Sequence, residues 1–208
     1  THTIIPTKIF ARMLILNFFC DPVFVMPSPP FLSYINIISV GKLTKVKGFD
    51  RLLNVHKQLI NEGLYNNIYI LGVGEDKEKI EKYIKENDLT DTFHLLGYKD
   101  NPYKYVAKCD LYACSSYREG FSTAVTESLI VGTPVISTLC SGAQELLGYN
   151  NEYGLVVENS EEGIYEGIKR LIEDRELLKY YKNKAKERGK KFSKENTIMS
   201  VENLLDKM

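Results

Sequence analysis

Residues 34–72, YINIISVGKLTKVKGFDRLLNVHKQLINEGLYNNIYILG, contain the pattern that decides the fold. A short apolar run at 34–40 ends at Gly41, which is typical of a buried strand. Residues 48–63 then carry apolar side chains close to helical spacing, and a second strand-like run follows at 68–72. A strand, a helix and a second strand in this order predict a right-handed βαβ unit with parallel strands.

The same alternation continues along the rest of the chain. Further strands are predicted at 93–97, 110–115, 133–138 and 153–158. Further helices are predicted at 76–87, 101–109, 121–132, 143–148, 161–173, 175–191 and 194–207. Short and almost wholly apolar strands suit a sheet that is covered on both faces. The predicted fold class is therefore α/β, with a Rossmann-like parallel sheet of about six strands flanked by helices.

Charge and cysteine usage argue against two classes of function. Lys plus Arg and Asp plus Glu both number 27, so the net charge is zero and no nucleic-acid partner is expected. The cysteines have neither CxxC spacing nor a neighbouring histidine, which argues against a zinc site. These are Cys20, Cys109, Cys114 and Cys140. We interpret them as buried free thiols in a reducing compartment, and the dispersed histidines as structural or surface residues.

Residues 1–33 differ from the rest of the chain. The run MLILNFFCDPVFVM at 13–26 is shorter than the roughly 20 residues that span a bilayer, and Asp21 and Pro22 interrupt it. No small-residue cleavage site of a signal peptide follows it. Two interpretations stay open, a remnant of or link to a missing N-terminal domain, and a disordered or artificial leader. We expect residues 34–208 to form the folded ligand-binding domain.

Several glycines are predicted to meet at one edge of the sheet. Ligands of such sheets bind at the carboxyl ends of the strands. The loops after the first three strands begin with Gly41, Gly72 and Gly97. A glycine lets the backbone approach a ligand closely, although each of these is also compatible with an ordinary turn. Their recurrence at one edge favours a ligand site there.

The segment REGFSTAVTE at 118–127 follows the fourth predicted strand and has the features of an anion site. Gly120 allows a tight turn, and Ser122 is a candidate cap for a helix whose free N–H groups favour a phosphate. Glu119 lies on the loop, where it is suited to sugar hydroxyls. Glu127 lies about one helical turn behind the phosphate end, where it is suited to both hydroxyls of a ribose. The alternative is a capped surface helix with two solvent-facing acids.

The segment GKLTKVKGFD at 41–50 places lysines at the start of a predicted helix. Cations oppose the dipole of a helix N-terminus, so Lys42 and Lys47 are better explained by an anion that binds there. Both are suited to neutralise a diphosphate leaving group, and a solvated lysine cluster is the alternative. The GxxxxGK[ST] order of a P-loop is absent, and Gly72 and Gly74 lack the third glycine of GxGxxG. No DxD-type acid pair indicates a metal–diphosphate site, so we expect neither a metal nor another cofactor.

Together these segments resemble the C-terminal domain of the retaining GT-B glycosyltransferases of the family 4, or group 1, type. The resemblance covers about residues 36 to 205. Its matching strings are SVGKLTKVKGFDRLL, ILGVGEDKEKIEKYI, FHLLGYKDNPYKYVAKCDLYACSSYREGFSTAVTESLIVGTPVIST and GLVVEN. The E-x7-E segment together with the G[RK]L…KG segment, in this order, is the most specific part.

The resemblance implies a site and a reaction. Lys42 and Lys47 would grip the donor diphosphate, Glu119 would contact the transferred sugar, and these three would be the catalytic residues. Glu127 would bind the ribose. The other donor-binding residues would be Gly41, Gly97, Tyr98, Gly120, Phe121, Ser122 and Thr123, with Gly97 and Tyr98 against the base. The reaction would transfer a sugar to an acceptor hydroxyl with retained anomeric configuration. The first candidate for the donor is a UDP-sugar, and the second is GDP-mannose.

The resemblance also implies partners and a location. Enzymes of this fold have two Rossmann-like domains with the active site between them, and this chain would need a missing or separate acceptor-binding domain. We expect the chain alone to bind donor and to transfer sugar poorly or not at all. Relatives suggest a lipid-linked or glycan acceptor and a bacterial cytoplasmic enzyme of surface polysaccharide synthesis, at the inner face of the membrane. The alternatives are a non-catalytic nucleotide-binding module and, on Gly72 and Gly74 alone, an NAD-dependent oxidoreductase.

Overall fold

The computed structural model of the protein describes residues 34–192. The strands of this region are β1 (Ile35–Val40), β2 (Asn66–Leu71), β3 (Phe93–Gly97), β4 (Leu111–Cys114), β5 (Val135–Thr138) and β6 (Leu155–Val157). Its helices are α1 (Phe49–Asn61), α2 (Lys77–Glu86), α3 (Tyr103–Val106), α4 (Thr123–Ile130), α5 (Ala143–Leu147), α6 (Glu161–Glu173) and α7 (Arg175–Lys190), and a 3-10 turn covers Lys45–Lys47. The helix predicted at 194–207 and the segment 1–33 lie outside the described residues.

The strands form one parallel sheet in the order β3-β2-β1-β4-β5-β6. From the central strand β1 the chain winds outward to β3 and then returns to place β4 beside β1. This doubly wound order confirms the predicted α/β, Rossmann-like fold. Because the order reverses between β1 and β4, the loops that follow these two strands diverge and open a crevice at their carboxyl ends. We call this the switch-point crevice; residues 41–48 and 115–122 border it.

Alternate side chains of each strand enter separate cores on the two faces of the sheet. Ile35 and Ile37 of β1 point into the core that packs against α1, α2 and α6. Ile38 points into the core that packs against α3, α4 and α5. All three side chains are fully buried. A parallel strand covered on both faces needs apolar residues at successive positions, which explains the continuous apolar runs of the sequence.

The predicted bounds differ from the observed ones by no more than three residues at either end of an element. The helix predicted at 101–109 is a single turn, since the chain must reach β4, where the Asp110 N–H donates to the Asn36 carbonyl at 2.8 Å. The helix predicted at 121–132 begins two residues later, because Ser122 caps it. It ends before Gly132, whose φ of 76° leaves the helical region.

The prediction of buried thiols holds for two of the three cysteines of the described region, whereas Cys140 is a half-buried free thiol. Cys109 and Cys114 are buried free thiols, and burial raises the pKa of both. His56 is fully buried, with Nδ1 2.7 Å from Asn66 Oδ1 and Nε2 2.8 Å from Thr92 Oγ1. Between residues 34 and 192 no three His, Cys, Asp or Glu side chains are grouped as a metal site would require.

Cys20 and His2 lie outside the described residues. Within residues 34–192, no helix is both long enough and apolar enough to cross a membrane.

Candidate functional site

The two segments selected from the sequence face each other across the switch-point crevice. Lys47 Nζ, on the loop after β1, forms an ion pair with Glu119 Oε2, on the loop after β4. The two residues are 72 positions apart in the sequence. Their side chains are 28% and 19% exposed, so the pair is partly shielded from water but open to a ligand. The cation and the carboxylate of the predicted site therefore lie at one place in the fold.

The lysine is held over the start of its loop. A methyl group at Gly41 would lie 3.4 Å from Cε of Lys47, so the lysine stem crosses directly over this glycine. Ser115 Oγ donates to the Lys47 carbonyl oxygen at 2.9 Å and joins the two loops. Lys42 is exposed on the same loop, and among the described residues no hydrogen bond or ion pair joins it to Lys47 or Glu119. The structure thus brings together Gly41, Lys47 and Glu119 and leaves Lys42 at the periphery.

Hydrogen bonds within the loop and from the neighbouring β5 and α5 regions fix the loop that carries Glu119. The Ser116 hydroxyl donates to Glu119 Oε2 at 3.3 Å. Thr138 of β5 in turn donates from Oγ1 to the Ser116 carbonyl at 2.7 Å. The Gly142 N–H donates to the Gly120 carbonyl at 3.1 Å and holds the far end of the loop. These bonds orient the carboxylate before a ligand binds. Such preorganisation lets a site stabilise charge that develops during a reaction.

The start of α4 faces the same crevice. Ser122 is its cap, with Oγ accepting from the Val125 N–H at 3.4 Å, which confirms the cap predicted from the sequence. Ser122 is buried, whereas Thr123 is exposed at the first position of the helix, and Phe121 packs against the core. The first turn of α4 contains no acidic residue, so no carboxylate there offsets the helix dipole, which favours an anion.

Glu127 lies one turn further along α4, on the side that faces α3. Its Oε1 accepts a hydrogen bond from the Tyr103 hydroxyl at 3.1 Å. Gly97 ends β3 with a φ of 70°, a left-handed value that favours glycine, and Tyr98 follows it with 59% of its surface exposed. Tyr98 is thus available at the carboxyl edge of the sheet.

The expectation that Gly72 makes room for a ligand is wrong. A side chain at Gly72 would overlap the carbonyl oxygen of Gly41, and one at Gly74 would overlap the backbone of Leu43. The Leu43 N–H donates to the Val73 carbonyl at 3.0 Å, so the loops after β1 and β2 pack directly on each other. These glycines serve the contact between two backbone segments, and this also removes the local basis for a dinucleotide motif.

Arg51 supports the site, a role that the sequence pattern does not predict. Its buried guanidinium donates to the Ser115 carbonyl and, at 2.9 Å, to Asn159 Oδ1, and it stacks on the Tyr117 ring. Asn159, after β6, donates to the Tyr117 carbonyl at 2.9 Å. Because a helical arginine usually faces water, the only local signal was its place between apolar Phe49 and Leu52. One side chain of α1 therefore ties together the loops after β4 and β6.

An open cleft of about 790 Å³ lies beside the ion pair, a volume within the range of small-molecule sites. Its walls come from the loops after β1, β4, β5 and β6. The lining residues are Val46, Lys47, Tyr117, Arg118, Glu119, Gly120, Leu139, Cys140, Ser141, Gln144 and Asn159. The mixture of exposed apolar and polar groups around one ion pair suits a polar ligand with a carbon skeleton, such as a sugar.

Sequence comparison identifies the family. A family model described as "Glycosyl transferases group 1" matches residues 28–188. The N-acetylgalactosamine-N,N'-diacetylbacillosaminyl-diphospho-undecaprenol 4-alpha-N-acetylgalactosaminyltransferase of Campylobacter jejuni is 42% identical over 160 residues, or 76% of this chain and 43% of that protein. The chain spans less than half the length of this and similar curated relatives.

Solved structures show the same fold. Anabaena HepE, in complex with UDP, superposes with a TM-score of 0.74 at 20% identity, over 84% of this chain and 49% of that chain. The C-terminal domain of LpcC, a group 1 glycosyl transferase family protein of Francisella tularensis, superposes with a TM-score of 0.68 at 20% identity, over 76% of this chain and 85% of that chain. The chain belongs to the group 1 glycosyltransferases and has the fold of their C-terminal, GT-B-type domain.

Proposed function

We propose that this chain is the donor-binding domain of a retaining glycosyltransferase and holds a nucleotide-diphosphate sugar in the switch-point crevice. The observation that carries the proposal is the Lys47–Glu119 ion pair beside the uncompensated start of α4. A lysine next to a helix N-terminus suits a diphosphate, and a preoriented carboxylate next to them suits sugar hydroxyls. The two charges therefore match the two halves of such a donor.

The positive groups have a catalytic role in this proposal. Negative charge grows on the diphosphate as the bond to the sugar breaks, and fixed donors that face it lower the barrier. Lys47 exchanges Glu119 for the diphosphate when donor binds, and Lys42 adds a second charge from the solvent side. Gly41, Gly120, Phe121, Ser122 and Thr123 surround the phosphates and the sugar. We propose that these groups supply the charge stabilisation without a metal ion.

The nucleoside lies towards α3 in this arrangement. Glu127 accepts the ribose hydroxyls, and Gly97 and Tyr98 pack against the base. A UDP-sugar is the first candidate and GDP-mannose the second. The complex of HepE with UDP supports this order, since HepE shares the fold of this chain.

The acceptor is the second substrate of the proposed reaction. The name of the Campylobacter relative contains a diphospho-undecaprenol acceptor, which supports a lipid-linked or glycan acceptor for this chain as well. We propose a role in bacterial surface polysaccharide synthesis at the cytoplasmic face of the membrane. Transfer to the acceptor hydroxyl with retained configuration would need an acceptor-binding domain, as relatives are more than twice as long as the matched part. The chain alone should therefore bind donor and transfer little or no sugar.

A second candidate function shares the site but not the reaction. The second candidate is a non-catalytic nucleotide-binding module that works with a separate acceptor protein, because the Lys47–Glu119 pair and the start of α4 would hold a diphosphate whether or not transfer follows. Such a module would bind the donor with the same residues. It would not gain transfer activity when joined to an acceptor domain, and this assay separates the two functions.

Calorimetric titration of the 208-residue chain with UDP, GDP and NAD tests the proposal. We expect UDP to bind and Lys47→Ala and Glu127→Ala each to weaken binding by about 1.5–3 kcal/mol, the usual loss for a hydrogen bond to a charged group. Lys79→Ala, which removes an exposed lysine of α2, is the matched control and should bind UDP as the unmodified chain does. Folded protein that binds no nucleoside diphosphate, or binds NAD instead, would contradict the proposal.

A further inference from the structure

The hydrogen bond between Tyr103 and Glu127 joins two elements that the sequence keeps apart. Tyr103 is the first residue of α3 and Glu127 lies on α4, 24 positions later. The tyrosine is 7% exposed, so its ring is enclosed and its hydroxyl has a fixed position. That hydroxyl lies 3.1 Å from Oε1 of the glutamate. Since Glu127 is only half-buried, this bond connects a rigid part of the protein to a side chain that a ligand can reach.

The backbone around Tyr103 is rigid for local reasons. Pro102 precedes it with a φ of −68°, and its carbonyl accepts from the N–H groups of Tyr105 and Val106 at 3.0 and 3.1 Å. Thr133 Oγ1 donates to the Val106 carbonyl at 2.9 Å and ties α3 to the segment that enters β5. Tyr105 and Val106 are buried in the same core as the inner side of α4. The distance between the tyrosine and α4 is therefore set by packing.

A glutamate needs such a partner if it is to recognise a pair of hydroxyls. Its side chain rotates about three bonds, and fixing them on ligand binding costs entropy. A carboxylate has about four acceptor positions on its two oxygens, so a donor on Oε1 does not by itself prevent the group from accepting further hydroxyls. A hydroxyl donor that sets the carboxylate plane in advance removes part of the entropy cost and aligns the remaining acceptor positions.

We propose that Tyr103 is a positioning residue for ribose recognition. It orients Glu127 so that the carboxylate accepts from both ribose hydroxyls, and it thereby sets the preference for a ribonucleotide donor over a 2′-deoxyribonucleotide. This inference rests on the proposed function, because it takes Glu127 as the ribose-binding acid. It adds the residue that makes the glutamate selective, and that residue lies on a different helix.

A structural role alone makes a different prediction. If the Tyr103 hydroxyl only stabilised the contact between α3 and α4, its loss would lower the stability of the fold and weaken all nucleotides equally. If the hydroxyl aligns Glu127, its loss weakens a ribonucleotide more than a deoxyribonucleotide, because only the former offers the 2′-hydroxyl. The ratio of the two affinities is thus the informative quantity.

The test is a titration of the 208-residue chain and its Tyr103→Phe variant with UDP and with dUDP. We expect Tyr103→Phe to weaken UDP by about 3- to 10-fold, the usual effect of one hydrogen bond, and to weaken dUDP clearly less. The preference for UDP over dUDP should fall accordingly. Tyr83→Phe is the matched control: it removes a tyrosine hydroxyl that donates to Asn54 Oδ1 at 2.6 Å, between α1 and α2, and should leave the preference unchanged.

Glu127→Ala separates the role of Tyr103 from the assignment of Glu127 as the ribose-binding acid. If Glu127→Ala abolishes the preference for UDP while Tyr103→Phe keeps it at the original value, only the role of Tyr103 is overturned. An equal loss of UDP and dUDP affinity in Tyr103→Phe overturns it as well. If Glu127→Ala leaves UDP binding and the preference intact, or if the folded chain binds neither nucleotide, the assignment of Glu127 and this inference both fail.

Discussion

The guanidinium carbon of Arg51 lies 3.8 Å from the centre of the Tyr117 ring. The same group donates to the Ser115 carbonyl and to Asn159, so it holds the loops after β4 and β6 against α1. In the described region the arginine has these neutral acceptors and no acidic ion-pair partner. A buried cation of this kind is kept in place by forked hydrogen bonds and by stacking on an aromatic face.

Replacing Arg51 should therefore destabilise the fold. Arg51→Met removes the guanidinium that donates to two acceptors and leaves both acceptors partly buried without this donor. We therefore expect the free energy of unfolding to fall by about 2–4 kcal/mol. Arg51→Lys keeps the charge but not the fork, and should recover less than half of the loss. Denaturant unfolding measures both. Arg118→Met makes the same chemical change at an exposed position and should alter stability by less than about 0.5 kcal/mol; equal losses at the two arginines would refute this account.

Gly48 is required by both its backbone angle and its surroundings. Its φ is 64°, and a side chain there would overlap the Ser115 carbonyl oxygen. Gly63 has a similar φ of 78°, but no atom lies within 4 Å of the position its side chain would take. Gly63→Ala should therefore cost only the left-handed conformation, about 1 kcal/mol. Gly48→Ala should cost at least about 3 kcal/mol, since the loops must also move apart. Similar unfolding free energies for the two variants would show that the overlap is relieved without cost.

The ion pair predicts opposite effects of one substitution on two ligands. Glu119→Gln removes the carboxylate that competes with a diphosphate for Lys47 and that repels it. We expect UDP to bind several-fold more tightly to this variant, since the charge-assisted hydrogen bond between Lys47 and Glu119 no longer has to be exchanged for the diphosphate. A UDP-sugar should lose the extra affinity that its sugar provides. Titration of both ligands measures the difference, and a uniform loss of affinity would rule out the separate roles of the two residues.

The buried His56 predicts a pH dependence of stability. Burial lowers the pKa of His56 from 6.5 to about 4, so the folded protein keeps the ring neutral where the unfolded chain protonates it. Between pH 6.5 and about 4 the unfolded state binds more protons, and stability therefore decreases as the pH falls through this window. The contribution at pH 5 is on the order of 2 kcal/mol.

His56→Gln should remove this contribution. The amide keeps polar atoms near Asn66 and Thr92 but does not titrate, so its stability should depend less steeply on pH between 7 and 5 than that of the unmodified chain. Denaturant unfolding at several pH values compares the two slopes. Parallel curves would mean that the histidine does not remain neutral in the folded state.

The layered sheet could be predicted because its signal is local. Mostly apolar runs such as 35–40 and 68–71 reflect burial on both faces of the sheet, and the helices show their period within a few turns. The predicted start of β2 lies two residues after the observed one, because Asn66 and Asn67 are polar. Both are nevertheless buried, and their side chains bond to His56 and Asn36. Those partners are invisible to a local pattern.

The site was predicted in part for the same reason. The Ser122 cap depends on a bond to a residue three positions away, and local rules are sufficient for that. Tyr103 and Arg51 were missed because their partners lie 24 to 108 positions away. Neither residue type is unusual in its helix, so only the packing of the helices reveals what each one touches.

The sequence alone determined the alternation of strands and helices, the covering of the sheet on both faces, and the two segments that carry the charges of the site. These properties depend on spacing over about ten residues, where helix and strand periods are set by backbone geometry. The tertiary structure decided that β1 lies beside β4, and only this adjacency joins Lys47 to Glu119. Strand order depends on how distant elements share one core, and no local period specifies it.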